Sequence, residues 1–213
     1  MDTSAIIAKL KDHKPSILGR EQYREFGVLI PLIETEQGQP HILFEVRSMN
    51  MRSQPGDVCF PGGKMDSCDL DECQCAIRET SEELGLEQTA IQDVFPLDYL
   101  ISETRIVYPF AGIIKQPEQI TPNQSEVERV FTVPLSFFLE TKPARYKVAY
   151  QPMPEKDFPF ELIQGGKNYN WNARSREELF YQYNGNVIWG LTALIMSHFV
   201  RLIQANDRTQ FGE

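Results

Sequence analysis

The chain has 213 residues, 41% of them hydrophobic, which is enough apolar material for one substantial core; a single domain over 1–213 is the expectation. A formal net charge of −9 and a pI near 5.0 make the surface as a whole repel phosphate backbones, which excludes non-specific nucleic-acid binding and leaves room only for a local basic pocket. No stretch approaches the apolar length of a membrane helix, MDTSAIIAKLKDHKP lacks the apolar region of a signal peptide, and NDRTQFGE is neither a peroxisomal tripeptide nor a lipidation box, so cytoplasmic residence without a membrane partner is expected.

Residues 1–19 predict a short amphipathic helix with Ile6, Ile7 and Leu10 on one face, ended by Pro15 and Gly19. FGVLIPLI (26–33) and HILFEVR (41–47) are rich in β-formers and flank the polar turn ETEQGQP, which reads as a hairpin. A short strand at 58–60 runs into a Pro-Gly-Gly loop, and 70–84 reads as a helix closed by Gly85 in the left-handed cap position. Strands follow at 94–101, 106–115 and 128–133, with TPNQSEVER as a surface loop between the last two. Pro143, Pro152, Pro154, Pro159 and the Gly165-Gly166 pair punctuate 140–185, which is assigned short strands and loops. The last element is a helix over 187–204, apolar nearly all round its first half and therefore buried. Strands mixed with two or three helices indicate α/β or α+β organisation.

Four cysteines, Cys59, Cys68, Cys73 and Cys75, lie close together and raise the question of zinc. They do not form paired C-x-x-C knuckles, and Cys73 and Cys75 diverge on a helix, so reduced thiols packed in or near a core are expected instead. His13, His41 and His198 are scattered and lack a nucleophilic partner, which argues against a hydrolase triad. Tyr108, Tyr169, Trp171 and Trp189 have the chemistry to stack on adenine, but core packing is the ordinary reading of such aromatics.

The informative element is LDECQCAIRETSEEL, 70–84. Leu70, Cys73, Ile77 and Leu84 predict its buried stripe. On another face Glu79, Glu82 and Glu83 stand at i, i+3 and i+4, with Glu72 seven residues upstream on nearly the same bearing, so three or four carboxylates project into one small volume. Like charges at these spacings cost on the order of a few tenths of a kcal/mol per pair, so helix stability does not explain them. A hard divalent cation does: Mg2+ or Mn2+ accepts carboxylate oxygens, keeps several waters and bridges to substrate phosphates. The plain alternative is a solvated acidic helix face. Its surroundings decide, because Gly62-Gly63 precede the helix and Arg78 precedes Glu79: glycines let a backbone approach a phosphate, and an arginine holds a carboxylate in one orientation. DSCDLDEC is not a calcium hand, since the glycine at the sixth loop position and the terminal glutamate are missing.

Taken together, Gly63, Arg78-Glu79, Glu82-Glu83, Gly85 and Leu86 resemble the Nudix box, G-x5-E-x7-R-E-U-x-E-E-x-G-U, where U is a bulky aliphatic residue. Two departures stand out. Thr80 occupies the first aliphatic position, and the stretch from Gly63 to Arg78 is one residue longer than the general spacing, leaving Asp69, Asp71 and Glu72 as candidates for the early glutamate. The longer spacing is similar to the coenzyme A diphosphatase branch, whose upstream signature is L-L-T-x-R-S/A-x3-R-x3-G-x3-F-P-G-G. Leu43, Arg47, Ser48, Arg52, Gly56, Phe60, Pro61, Gly62 and Gly63 match it in register, while Phe44 and Glu45 replace its second leucine and threonine.

The resemblance implies the Nudix fold, a mixed β-sheet sandwiched between helices with a loop-helix-loop motif. It implies hydrolysis of coenzyme A, or of acyl or oxidised derivatives, to 4'-phosphopantetheine products and adenosine 3',5'-bisphosphate. Glu79 and Glu83, assisted by Glu82, would hold Mg2+ or Mn2+ on the diphosphate, and Arg78 would orient Glu79. Glu126, in QSEVER, is the candidate loop carboxylate, as general base or additional ligand, with an exposed loop acid as the alternative. Arg47 and Arg52 are candidates for pairing with substrate phosphates or for structural roles, and Gly62 and Gly63 supply the phosphate-facing backbone. YNGNVIWGLTAL, 183–194, resembles a segment near the end of such proteins and is expected to pack on the sheet; a homodimer is the family-level expectation. Two rival readings stand. One is a Nudix hydrolase of another nucleoside diphosphate derivative, a triphosphate, dinucleotide or nucleotide sugar, against which the upstream signature argues. The other is a non-catalytic ligand-binding or regulatory domain of the same fold, against which the retained Glu79, Glu82 and Glu83 argue.

Overall fold

The computed structural model describes residues 2–210 except positions 36, 37, 103 and 173, with side chains described up to residue 205. β1 (Arg24–Glu34) and β2 (Pro40–Arg47) form the expected hairpin, antiparallel from Leu32↔Ile42 to Glu34↔Pro40; positions 36 and 37 of its turn lie outside the described residues. Beyond that end the two strands part, and two short strands fill the opening. β3 (Val58–Cys59) pairs with β2 through Glu45↔Cys59, and β4 (Gly62–Lys64) pairs with β1 through Gly27↔Gly63. The expected Pro-Gly-Gly loop is thus largely a strand. β7 (Arg105–Ile114) runs parallel to β1, while β5 (Ile91–Pro96) and β6 (Leu100–Ser102) pair antiparallel with β7, and β8 (Val127–Pro134) with β2. This is the mixed sheet that the resemblance implied.

Strand alternation sends successive side chains to opposite faces. On one face Leu29 packs with Ala76, Ile91 and Phe110 beneath the helix α2 (Glu72–Leu84), while on the other Ile30 joins Phe44, Val107, Val133, Met196 and Phe199. Met196 and Phe199 belong to α4 (Gly190–Gln210), so the sheet is covered by helices on both sides, an α+β sandwich. The short α3 (Leu135–Glu140) adds Phe138 to the same core as α4. Among the described residues no helix is long and apolar enough to cross a membrane.

Several sequence expectations need correction. The first helix, α1 (Thr3–Leu10), is capped by Asp2, which accepts from Ala5 N at 2.8 Å, but Ile6, Ile7 and Leu10 on its apolar face are exposed and the helix buries no residue. It ends well before Pro15, which disfavours helical backbone at Lys14. The span 140–185 holds regular strands, β9 (Ala144–Tyr150) and the ten-residue β10 (Arg174–Tyr183). The last helix starts later than expected: β11 (Asn186–Trp189) first turns back on β10 through Asn184-Gly185, whose φ values of 47° and 80° suit the Asn-Gly hairpin turn. On α2, Leu70 precedes the first turn and is exposed, and Cys73 and Ile77 are half-buried; the buried face is Cys75, Ala76, Thr80, Glu83 and Leu84. The cause is close approach to β1, where a Cβ on Gly27 would lie 2.7 Å from Ala76 N, so only small residues fit. All four cysteines are free thiols, and Cys68 is exposed rather than packed.

Candidate active site

α2 carries its own start and stop signals. The Asp71 carboxylate accepts from Gln74 N at 2.8 Å as the N-cap, and Gly85, at φ 64°, closes the helix. A side chain at Gly85 would also collide with the Thr121 carbonyl, because the next loop is laced onto this helix end. Thr121 N donates to Leu84 O and Asn123 N to Glu83 O, each at 2.9 Å. At the loop's far end Ser48 N donates to Glu126 O at 2.8 Å, so the half-buried Glu126 is fixed between the ends of β2 and α2.

Consecutive helical residues diverge by about 100°, and the glutamates separate accordingly. The buried Glu83 carboxylate accepts from the Gly62 N–H at 2.7 Å, and Glu79 lies against Gly63, where a Cβ would run into its carboxylate. The Glu82 side chain, 60% exposed, turns away, 3.4 Å from Arg78 Nη1. Glu72 is apart as well, beside Arg20, which itself pairs with Glu25 at 2.9 Å. The volume the sequence assigned to three or four helix carboxylates therefore receives Glu79 and Glu83 from the helix.

Arg78 forks onto Asp69, with Nε–Oδ1 at 2.8 Å and Nη2–Oδ2 at 2.9 Å, and reaches Glu79 Oε1 through Nη1 at 2.8 Å. The guanidinium holds the Asp69 carboxyl well below the usual carboxylate range. The three acids considered for the early box glutamate thus have distinct surroundings: Asp69 on Arg78, Asp71 on the helix end, Glu72 near Arg20.

One further acid completes the group. Glu45, buried on β2, accepts from the Cys59 thiol at 3.2 Å through Oε1, while Oε2 is buried without a hydrogen-bond partner. Burial, opposed by the Cys59 thiol and Arg47 and reinforced by Glu126, pushes this carboxyl up to about 7. Burial, with repulsion from Glu45, Glu79 and Glu126, raises Glu83 well above its ordinary value against the Gly62 N–H, and burial raises Glu79 against the pull of Arg78. Sequence reasoning noted Glu45 only as a departure from the signature, although a lone acid among the apolar residues of HILFEVR was the available signal.

Three carboxyls raised by burial, Glu45, Glu79 and Glu83, one of them with an orphaned oxygen, lie in the same field as Glu126 and make a donor set suited to a hard divalent cation. Among the described residues no three His, Cys, Asp or Glu side chains converge on one point as they stand.

Arg47 and Arg52 have different fates. Arg47 donates from Nε to Ser53 O at 3.3 Å and lines a cavity of about 560 Å³, whereas Arg52 is exposed on the loop and outside the cavity wall. Trp189 lines the same cavity, and Tyr169 and Trp171 line an adjoining one of about 770 Å³, so these three aromatics are wall residues rather than core. Tyr108 instead donates to Glu25 at 2.8 Å.

The family model for the NUDIX domain matches residues 24–152. Over 146 residues the chain is 40% identical to peroxisomal coenzyme A diphosphatase NUDT7 of Mus musculus, covering 68% of this chain and 56% of that protein. It is 32% identical over 175 residues to Nudix hydrolase 15, mitochondrial, of Arabidopsis thaliana, covering 80% and 55%. It is 31% identical over 181 residues to mitochondrial coenzyme A diphosphatase NUDT8 of Homo sapiens, covering 83% and 68%. The chain spans little more than half the length of the first two of these relatives. The compartments in the three names differ from the cytoplasmic expectation stated for this chain.

Proposed function

The chain belongs to the Nudix family, and on that premise we propose that it hydrolyses the diphosphate bond of coenzyme A or a derivative, releasing adenosine 3',5'-bisphosphate and a 4'-phosphopantetheine product. The observation that carries this reading is the seating of Glu79 and Glu83 against the Gly62-Gly63 backbone, with Glu45 and Glu126 in the same electrostatic field. Two relatives whose names specify coenzyme A diphosphatases, and the upstream residues Arg47, Ser48 and Gly56 in register, support the choice of substrate.

In this reading Glu79 and Glu83 are the principal ligands of Mg2+ or Mn2+, and Glu82, at the solvent side, acts in an outer role. The bound ion would neutralise charge on the diphosphate and lower the pKa of a water molecule. The protein's own contribution is orientation. Arg78, anchored by Asp69, holds Glu79 in one direction, and the Gly62 N–H does the same for Glu83. Gly62 lets β4 pack directly on the β1 backbone, and Gly63 leaves room for the Glu79 carboxylate. Glu126, fixed by backbone hydrogen bonds at both ends of its loop, takes the proton from the attacking water or completes the ligand set. Arg47 faces a substrate phosphate, and Arg52, on the exposed loop, would meet substrate only at the cavity's rim.

The test is hydrolysis of coenzyme A, ADP-ribose and a nucleoside triphosphate in parallel, with Mg2+, Mn2+ or chelator, by the parent protein and its Glu83→Gln variant. Metal-dependent release of adenosine 3',5'-bisphosphate from coenzyme A, reduced about a hundredfold or more in the variant, is the expected result. Turnover of one of the other substrates in its place removes the coenzyme A assignment, and inactivity on all three removes the catalytic reading.

A further inference from the structure

The cavity of about 560 Å³ beside β3 has a charge character opposite to that of the whole chain. Arg47 at the end of β2, Arg105 at the start of β7 and Arg176 on β10 line it, against the carboxylates Asp57 and Glu178. Three cations facing two anions make a positive recess in a chain of formal charge −9. Concave positive sites of this kind focus potential on an anionic ligand.

The arginines are held in ways that leave donors available. Arg176 Nε pairs with Glu178 at 3.1 Å, and the Glu178 side chain is only 11% exposed, so the guanidinium has a rigid partner. Arg47 likewise uses Nε, on Ser53 O. A guanidinium carries five N–H donors in a planar fork, so both arginines keep their outer edges for a bound anion. The Arg105 guanidinium lies 5.5 Å from the Phe26 ring centroid, a cation–π contact that uses none of its N–H groups on a carboxylate. Trp189, stacked on Phe180 with centroids 5.7 Å apart, adds a flat apolar wall beside these cations.

Arg176, Glu178 and Trp189 all lie beyond residue 152, where the family match ends. Strands β10 and β11 therefore supply one of the three arginines and the aromatic wall of the recess from outside the matched span. At its other border Cys59 lines the cavity and donates to Glu45, so the recess meets the carboxylate group at β3.

We propose that this cavity is a subsite for a phosphomonoester on the nucleoside half of the substrate, with Arg47, Arg105 and Arg176 on the phosphate and Trp189 beside the base. The inference rests on the diphosphatase reading for its reacting partner. A dianionic phosphomonoester matches forked guanidinium donors better than lysines would, and an aromatic wall accepts a purine.

Two measurements test it. The first is calorimetric binding of adenosine 3',5'-bisphosphate and of adenosine 5'-monophosphate in chelator, which requires no turnover. The second is the ratio of kcat/KM for coenzyme A to that for 3'-dephospho-coenzyme A, two substrates with the same diphosphate. The parent protein should favour the phosphomonoester ligand and substrate by about tenfold or more, roughly the effect of one charge-assisted contact. Arg176→Gln and Arg105→Gln should bring both ratios toward one, and Arg176→Lys should restore part of the preference. A folding defect lowers both substrates together and leaves the ratio unchanged. Equal binding of the two nucleotides by the parent protein, or ratios that neither variant alters, would overturn the subsite. Preferential nucleotide binding without coenzyme A hydrolysis would retire the diphosphatase reading and keep the subsite; hydrolysis with a ratio of one would do the reverse.

Discussion

Adjacent glycines on β4 should respond to the same substitution in opposite ways. Gly62 has φ +145° and pairs with Val28, and a Cβ there would meet the Gly27 carbonyl and sit 2.6 Å from Val28 Cα. Those atoms are the backbone of a central strand and have no room to retreat. Strained backbone costs about 1–3 kcal/mol and overpacking a further 1–3 or so, so Gly62→Ala should lose about 3 kcal/mol or more of stability. At Gly63 the colliding group is the Glu79 carboxylate, with Oε1 2.8 Å from the built Cβ, and this is the far end of a flexible side chain. Swinging it aside costs about 0.5–1.5 kcal/mol, but displaces a proposed metal ligand, and misplacement by about 1 Å is worth roughly a hundredfold in rate. Urea unfolding and coenzyme A turnover on both variants separate the two effects. Gly63→Ala should keep most of its unfolding free energy and lose activity; Gly62→Ala should fail in unfolding first. A fully active Gly63→Ala, or a Gly62→Ala as stable as the parent, would refute the geometric reasoning.

Three further outcomes are expected. Thr80 is fully buried with no partner for Oγ1, at the box position that otherwise takes an aliphatic residue. Thr80→Val should therefore gain about 1 kcal/mol by removing an unpaired hydroxyl, seen as a Tm rise of about 2–4 °C; a lower Tm would show that the hydroxyl is paired in solution. Asp69→Asn breaks the fork to Arg78 and should cost about 2–3 kcal/mol at pH 7, less than a fully buried pair because Arg78 keeps Glu79 and some solvent contact. Because the Asp69 carboxyl is held below its ordinary range, the pair's stabilisation is complete above the unfolded value of about 3.9 and is lost as pH falls through the depressed folded value. The parent–variant gap in unfolding free energy should narrow in acid, and a gap constant from pH 7 to pH 2 would contradict the assignment. Glu45 has the opposite sign. Its carboxyl is raised to about 7 in the folded chain, so in chelator the parent should lose stability as pH rises from the unfolded value of about 4.3 toward that folded value. Glu45→Gln should show a shallower slope of the same sign, because Glu79 and Glu83 remain raised; parallel pH profiles for the two proteins would count against it.

Much of this protein was legible from short stretches of sequence. The hairpin at 26–47 and the helix ending at Gly85 rest on periodicity, capping and turn chemistry that operate within a few residues, and the ordered set Gly63, Arg78, Glu79, Glu82 and Glu83 was legible through its resemblance to the Nudix box. Where local reading failed, a competing contact explains it. Leu70 was placed in the buried stripe by helical spacing, but close contact at Gly27 turned Cys75 and Ala76 to the sheet. The Asn184-Gly185 turn was present in the sequence, yet the apolar run after it read as continuous helix; pairing with β10 made the first part a strand.

The sequence by itself determined the sandwich's main elements and the presence of an acidic helix beside a glycine pair, because those signals are local. Only the tertiary structure decided which carboxylates act on Glu83: Glu45 from β2 and Glu126 from its loop do so together with Glu79, while Glu82 turns its side chain toward solvent and Glu72 acts on Arg20. It also decided that Arg47, Arg105 and Arg176 share one recess, although they lie on three strands and far apart in the chain. Such groupings follow from strand register and from how closely a helix approaches a sheet, quantities set by contacts between distant residues and carried by no single segment.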